Sequence, residues 1–334
     1  IPIIYCDIHG PVRAPDADLP VLLPKVEEFR PLGTGRSPLA DVADWVNVPC
    51  PICGAPARRE TDVSDTFLDS AWYFLRYPST DFDDRPFDND RTWRWLPVDN
   101  YIGGHEHAVL HLLYSRFVMR ALHEMGLVPD PEPFRRFRAH GLIIKSGAKM
   151  SKSRGNVVNP DEYMERYGVD ALRLYLMSLG PYDQGGDFSD EGIRGATRFL
   201  DRVWRAAQLA TATDTADQER ERRRHRLLRD VDERLPELQF NTAIAKLMEF
   251  SRELERETRT GAGRRVDAEA LLISLAPFAP HIADELWERT GHQGSIHDER
   301  FPDWDPELAT EEIVTVVVQI DSRKRAELEV ARGT

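Results

Sequence analysis

No run in this 334-residue chain approaches the ~20 consecutive apolar residues of a membrane-spanning helix, so no membrane span is expected. Cysteine is nearly absent: three residues, two of them in a C-x2-C pair, do not suggest a disulfide framework, and a reducing, cytoplasmic setting is the default expectation. The opening Ile1-Pro2-Ile3-Ile4-Tyr5 has no basic region ahead of it and no small-residue cleavage pattern. That argues against a signal peptide and reads as a strand cut out of a larger protein. There is no internal repeat. A positive net charge is also lacking, since 44 Lys and Arg against 57 Asp and Glu leave −13, which taken alone speaks against a nucleic-acid partner.

The charge is, however, segregated. Residues 134–160 carry seven basic side chains (Arg135, Arg136, Arg138, Lys145, Lys149, Lys152, Arg154) and no Asp or Glu, a basic island in an acidic chain. With 41% hydrophobic residues the chain can fill two or three domains with real cores. The first sixty or so residues are rich in Pro and Gly with short apolar runs at 1–5 and 21–23, and read as strands and loops. Residues 66–75 predict a helix buried on more than one side. Residues 98–102 read as a short strand ended by Gly103-Gly104, and 105–125 as a helix with Val109, Leu112, Leu113, Phe117, Leu122 and Met125 at helical spacing. A strand at 139–144 leads into the lysines. Strand, glycines, helix, strand and loop is the grammar of a doubly wound α/β domain, whose ligands sit at the carboxyl ends of its strands.

Asn159-Pro160-Asp161 caps a further helix, and 170–179 forms another with Leu172, Leu174, Tyr175 and Leu176 inside. Amphipathic segments at 191–212, 219–235, 241–258 and 267–290 predict an antiparallel helical bundle, and 312–320 a strand opening one more domain. The expected division is therefore 1–61 strands and loops, 62–188 α/β, 189–306 helical and 307–334 the start of a further domain.

Several constellations carry chemistry. Lys149-Met150-Ser151-Lys152-Ser153, bracketed by Gly147 and Gly155, is either a solvated basic turn or a cationic loop able to close on a polyphosphate. In Tyr101-Ile102-Gly103-Gly104-His105-Glu106-His107, paired glycines after a strand admit a flat base, and Glu106 can take both hydroxyls of a ribose or merely complement a helix dipole. His107 and His111 lie four apart, so on a helix they share a face. They are open to three readings: metal ligands, a substrate pocket, or core histidines. Cys50-Pro51-Ile52-Cys53-Gly54 with Cys6-Asp7-Ile8-His9-Gly10 offers three thiolates and an imidazole, a closed structural zinc set, the alternative being a metal-free hairpin. Arg194, Arg198, Arg202 and Arg205 line one helix face suited to a phosphate backbone, or paired within the helix to Asp190, Glu191 and Asp201. Arg222, Arg223, Arg224 and Arg226, interleaved with glutamates, read as exposed helix surface.

Lys149 to Ser153 resembles the KMSKS signature of class I aminoacyl-tRNA synthetases, whose loop stabilises the transition state of amino-acid activation by ATP. Thr66-Phe67-Leu68-Asp69-Ser70-Ala71-Trp72-Tyr73-Phe74-Leu75 and Gly103-Gly104-His105-Glu106-His107-Ala108-Val109-Leu110-His111 resemble leucyl-tRNA synthetase signatures. Arg198-Phe199-Leu200-Asp201-Arg202-Val203-Trp204, Phe240-Asn241-Thr242-Ala243 and Leu275-Ala276-Pro277-Phe278-Ala279-Pro280-His281 look like the anticodon-binding bundle of leucyl, isoleucyl and valyl enzymes. The resemblance implies a Rossmann-like catalytic half, a zinc-ribbon-like hairpin and an anticodon-binding bundle. It implies condensation of leucine with ATP to leucyl-adenylate, then transfer to the 3′ end of tRNA(Leu). Lys149 and Lys152 would be catalytic. Gly103, Gly104, Glu106, the main chain of Gly141, Leu142 and Ile143, and Met150, Ser151 and Ser153 beside the lysines would hold ATP. Phe67, Ser70, Tyr73, His107 and His111 would shape the leucine pocket, while Arg194, Arg198, Arg202 and Arg205 would meet tRNA. Mg2+ would accompany the pyrophosphate, and zinc would sit on Cys6, His9, Cys50 and Cys53, although related leucyl enzymes often carry cysteine where His9 stands.

The resemblance has gaps. No HIGH tetrapeptide occurs, since His9-Gly10 belongs to the cysteine hairpin, and the editing domain would precede Ile1. The chain thus resembles the carboxyl-terminal half of such an enzyme and is expected to need the amino-terminal half, in cis or as a second subunit, before it activates leucine. Alternatives are another class I enzyme, for isoleucine, valine or methionine, and a non-catalytic tRNA-binding fragment.

Overall fold

The computed structural model describes residues 1–26, 33, 35–211, 217–310, 313–320 and 323–331. The chain divides into two compact units, Ile1–Tyr101 with Glu106–Phe137, and Ile102–His105 with Arg138–Thr334. Among the described residues no helix is long and apolar enough to cross a membrane.

In the first unit, β1 (Ile3–Cys6), β2 (Gly10–Arg13), β3 (Asn47–Pro49) and β4 (Pro56–Arg59) form an antiparallel sheet in the order β2-β1-β4-β3, and a single helical turn, α1 (Ala43–Val46), precedes β3. Two tight turns close the sheet, with Gly10 and Gly54 in the left-handed region at φ of 67° and 71°. Buried Ile4, Cys6, Cys50 and Ala57 supply its small core. Of the two apolar runs read as strands and loops, the first overlaps β1, whereas residues 21–23 are irregular, with Leu22 and Leu23 exposed.

The expected helix 66–75 is two short ones, α2 (Thr66–Ser70), capped by Asp65 accepting from Phe67 N at 2.8 Å, and α3 (Tyr73–Arg76). Trp72, at φ −135°, breaks the spiral so that Phe74 and Leu75 both enter a core with Phe87, Leu96, Met119 and Val128. After α4 (Asn89–Trp95), β5 (Tyr101–Gly104) contains the paired glycines that were expected to end it. The expected helix 105–125 is also divided. His105–Ala108 is a 3-10 turn, and Leu110 at φ −112°, ψ −104° reorients the chain before α5 (His111–Glu124). His107 and His111 therefore do not share a helix.

In the second unit the expected strand 139–144 is broken at Gly141 into β6 (Phe137–His140) and β7 (Leu142–Lys145). A Cβ on Gly141 would lie 2.0 Å from the Gln184 carbonyl carbon, and Gly141 N donates to Tyr182 O at 2.8 Å, so the bend is imposed by a backbone far along the chain. β7 pairs antiparallel with β8 (Ala148–Lys149). It pairs parallel with β9 (Gly185–Phe188), reached through α6 (Pro160–Tyr167), where Asn159 caps Asp161 N at 3.2 Å, and α7 (Val169–Ser178). β7 and β9 thus form a parallel ladder, and the described residues hold no continuous doubly wound sheet. Leu172, Leu174 and Tyr175 are buried as expected, whereas Leu176 is 36% exposed because it faces a cleft.

The bundle comprises α8 (Gly192–Leu209), α9 (Gln218–Arg234), α10 (Phe240–Arg259), α11 (Arg265–Leu275) and α12 (Pro280–Arg289). Each apolar stripe enters one core, with Val203, Val231, Leu247, Leu271 and Ala283 all fully buried. The expected 267–290 helix is interrupted at 276–279, where Pro277 has no N–H to give and Pro280 opens α12. The last expected residue of the first bundle segment, 212, lies outside the described residues. Asp170 of α7 accepts from Ile282 N at 2.7 Å and pairs with His281 Nδ1 at 2.8 Å, which caps α12 from a distant helix. Arg223, Arg224 and Arg226 are not the free surface expected: they are half-buried, with Arg223 on Glu257 at 2.9 Å and Arg224 on Asp267 at 3.4 Å. A short α13 (Pro306–Ala309) and a hairpin of β10 (Ile313–Ile320) and β11 (Arg323–Ala331) follow; Glu312, expected in the strand, is outside the described residues.

Candidate functional site

The lysine segment is a hairpin followed by a turn. Ser146 and Gly147, both at positive φ (56° and 71°), make the two-residue connection between β7 and β8. Asp187 of β9 accepts from both turn amides, Ser146 N at 2.9 Å and Gly147 N at 2.7 Å. Beyond Lys149 the chain folds back as a 3-10 turn over Lys152–Arg154, ended by Gly155 at φ 65°. Asn156 ties the loop, accepting from Ser151 N at 2.9 Å and donating to Lys149 O at 3.3 Å. Met150 packs on the main core, whereas Lys149 and Lys152 are exposed and make no ion pair among the described residues. Main-chain anchoring with uncommitted ammonium groups suits an incoming anion. Elsewhere in the basic island, Arg138 pairs with Glu237 at 3.3 Å, Arg135 with Asp99 at 3.2 Å and Lys145 with Asp190 at 4.0 Å.

Gly141 is half-buried, and Leu142 and Ile143 expose their side chains. In β5, Gly104 is buried and Gly103 half-buried. Glu106 stands in the first turn of the 3-10 segment His105–Ala108 and not in the first turn of α5, which holds no acidic side chain.

Phe67, Ser70, Tyr73, His107 and His111 converge within the first unit. Phe67 meets the His107 ring edge-on at 6.3 Å, Tyr73 stacks on His111 at 5.6 Å, and the two histidine rings stand edge-to-face at 6.2 Å. The hydrogen bonds have a direction. Ser70 Oγ donates to Phe67 O at 3.1 Å, so at its other contact, His111 Nδ1 at 3.1 Å, it accepts. A neutral His111 protonated on Nδ1 then accepts at Nε2 from Tyr101 OH at 2.5 Å, which leaves the Tyr101 oxygen to accept from Tyr73. Burial, helped by His107, lowers the His111 pKa and favours that neutral ring. Burial, with the Tyr73 hydroxyl, pushes the Tyr101 phenol well above its ordinary value. His107 Nδ1 is buried with no partner among the described residues. Sequence reasoning missed Tyr101, although it opens the glycine run, and Phe134, which stacks on Tyr101 at 3.8 Å and had no local signal.

Cys6, His9, Cys50 and Cys53 place their ligand atoms within 4.8 Å of one another. Cys6 Sγ lies 3.6 Å from His9 Nδ1 and 3.9 Å from Cys53 Sγ, and Cys50 Sγ lies 3.8 Å from the same imidazole nitrogen. Tetrahedral zinc with bonds of about 2.3 Å to sulfur and 2.0–2.1 Å to nitrogen requires edges of roughly 3.6–3.8 Å. The donors fit. The main-chain N–H of Ile8, then the His9 side chain, hold the Cys6 thiol below its ordinary value.

The arginine stripe is divided. Arg202 and Arg205 both pair with Glu255 of α10, at 3.6 and 3.0 Å, so these two arginines pair with a neighbouring helix and the four do not form a continuous free face. Arg194 and Arg198 are exposed and form no ion pair among the described residues.

Comparison with known proteins matches residues 54–188 to the family "tRNA synthetases class I (I, L, M and V)" and residues 217–334 to the "Anticodon-binding domain of tRNA ligase". Leucine–tRNA ligases of Dehalococcoides mccartyi and Rubrobacter xylanophilus are 45% and 47% identical across 100% of this chain. The chain spans 42% and 41% of their respective lengths. A solved ternary complex of Agrobacterium radiobacter LeuRS with tRNA and LeuAMS superposes with a TM-score of 0.77 at 33% identity, over 100% of this chain and 45% of that one.

Proposed function

The chain belongs to the leucyl-tRNA synthetase family, spanning less than half the length of the relatives it matches, and from that premise we propose that it supplies three parts of a leucine-activating enzyme. These are the phosphate-binding loop, the leucine side-chain pocket and the tRNA-facing helices. Residues 62–188, with the parallel β7–β9 ladder, are the nucleotide-binding half, 189–306 the anticodon-binding bundle, and 307–334 the start of a further domain.

The observation that carries this reading is the pair of uncommitted lysines on an anchored loop. As leucine carboxylate attacks the α-phosphate of ATP, negative charge builds on the phosphates, and Lys149 and Lys152 neutralise it without covalent chemistry. Gly103, Gly104, Glu106 and the main chain of Gly141 to Ile143 bind adenosine, and Mg2+ accompanies the pyrophosphate. Phe67, Tyr73 and the histidines enclose the leucine side chain. Bulky walls are needed, because each methylene contributes only ~1–3 kcal/mol of discrimination. The His107 Nδ1 left without a partner is a polar contact available at that pocket. tRNA(Leu) docks on the bundle, with Arg194 and Arg198 the cations of the stripe that form no ion pair among the described residues. Zinc on Cys6, His9, Cys50 and Cys53 cross-links the small sheet and takes no part in the reaction.

The test is leucine-dependent ATP–pyrophosphate exchange by the full-length enzyme containing this sequence. Lys149→Ala and Lys152→Ala are each expected to lower kcat by about 10²-fold with little change in the leucine KM. Unchanged kcat would leave a non-catalytic tRNA-binding module, and preference for isoleucine, valine or methionine would reassign the pocket. The 334-residue chain alone is expected to show no exchange.

A further inference from the structure

The connection between α9 and α10 contains an unusual backbone. After Arg234 the helix closes with Gln239 N donating to Arg234 O at 3.0 Å and Leu238 N to Leu235 O at 3.1 Å, a Schellman ending. Its left-handed residue, where glycine is normally found, is Leu238 at φ 57°. A leucine held in that conformation is explained by what its side chain does. Leu238 is half-buried and, with Phe240, lines a cleft of about 240 Å3 whose other walls include His140, Gly141, Ile143 and Tyr182. Phe240 meets Tyr182 edge-on at 5.8 Å and Phe278 of the bundle core at 6.1 Å, and Tyr182 O receives Gly141 N. The same turn is gripped from β6, where Arg138 donates to Pro236 O at 3.0 Å and pairs with Glu237 at 3.3 Å. From Gly141 the chain runs through β7 directly into the hairpin carrying Lys149.

We propose that the α9–α10 turn is a clasp that positions β7 and thereby the lysine hairpin, with Leu238 and Arg138 as its positioning residues. This rests on the reading of Lys149 and Lys152 as the phosphate-neutralising pair. The bundle thus contributes to the activation step as well as to tRNA docking. Both residues belong to the second unit and the leucine pocket to the first, so the clasp is expected to act on kcat and to leave leucine binding alone.

In the full-length enzyme, Leu238→Gly relieves the left-handed backbone while deleting the cleft wall. Its Tm is expected to stay within about 2 °C of the parent, because strain relief offsets lost packing and added chain freedom. The kcat of leucine-dependent exchange is expected to fall about tenfold with the leucine KM unchanged. Arg138→Gln is expected to behave similarly, and Leu238→Met to retain parental kcat within about twofold. Parental kcat in both Leu238→Gly and Arg138→Gln overturns the clasp, as does loss of kcat accompanied by a Tm drop of more than about 5 °C and an altered leucine KM, the signature of general destabilisation. A parent enzyme lacking exchange altogether overturns the functional reading itself, a failure visible before any variant is made.

Discussion

His111 is held at both ring nitrogens, by Ser70 Oγ at Nδ1 and Tyr101 OH at Nε2, and this has a pH consequence. Burial, then His107, depresses its pKa below the ordinary 6.5. Below about pH 6.5 the unfolded chain takes up a proton that the folded protein refuses, so stability from this site is complete above 6.5 and is lost as pH falls towards the folded value. Thermal melts between pH 7.5 and 5 should therefore show a decline that is smaller in His111→Gln. Leucine KM should hold across that window and rise only below the folded value, where a protonated Nε2 can no longer accept from Tyr101. An equal pH slope in parent and variant would assign the decline to other groups.

At the scale of elements, the stripe on α8 separates two kinds of arginine. Replacing Arg194 and Arg198 with Gln should reduce the salt dependence of tRNA binding by about 1–2 in the log–log slope. Arg205→Gln should leave that slope unchanged and cost at most ~1 kcal/mol of stability, because it loses a half-exposed pair to Glu255. Filter binding across a salt series distinguishes the two. This division could not be read from sequence: spacing places four arginines on one face, but Glu255, about fifty residues away, decides which stay free. The same limit applies to the breaks. Helical periodicity located α8, α9 and α10 to within a few residues, and the Asn159 cap was legible because its chemistry is local. Gly141 was not, since the bend is set by Tyr182 and Gln184. Leu110 was not either, because an apolar residue at helical spacing gives no sign of a non-helical ψ. Of the clustered rings, Phe67, Tyr73, His107 and His111 lie in segments that the sequence singles out, whereas Phe134 was found only through its stacking on Tyr101.

Across the whole molecule, stabilisation is unevenly distributed. The bundle and α7 share one extensive core, whereas the four-stranded sheet buries little beyond Ile4, Cys6, Ala14, Cys50 and Ala57. So small a core needs a staple. The purified protein is expected to carry one zinc per chain, and Cys53→Ser or chelation to release it. Hydrogen exchange should then accelerate in β1–β4 while amides of α8–α12 keep their protection. A metal-free preparation with full protection of the sheet would refute the staple. The link between Asp170 and the start of α12 also bears on biosynthesis. It joins residues 111 and 112 positions apart, and Leu172 and Leu174 beside it lie against a core completed by Leu286 and Trp287. At about 5–20 residues per second, the apolar side of α7 waits roughly 5–20 s on the ribosome before its covering helix exists. During that interval the nascent chain presents an aggregation-prone apolar surface, which the arrival of α12 removes.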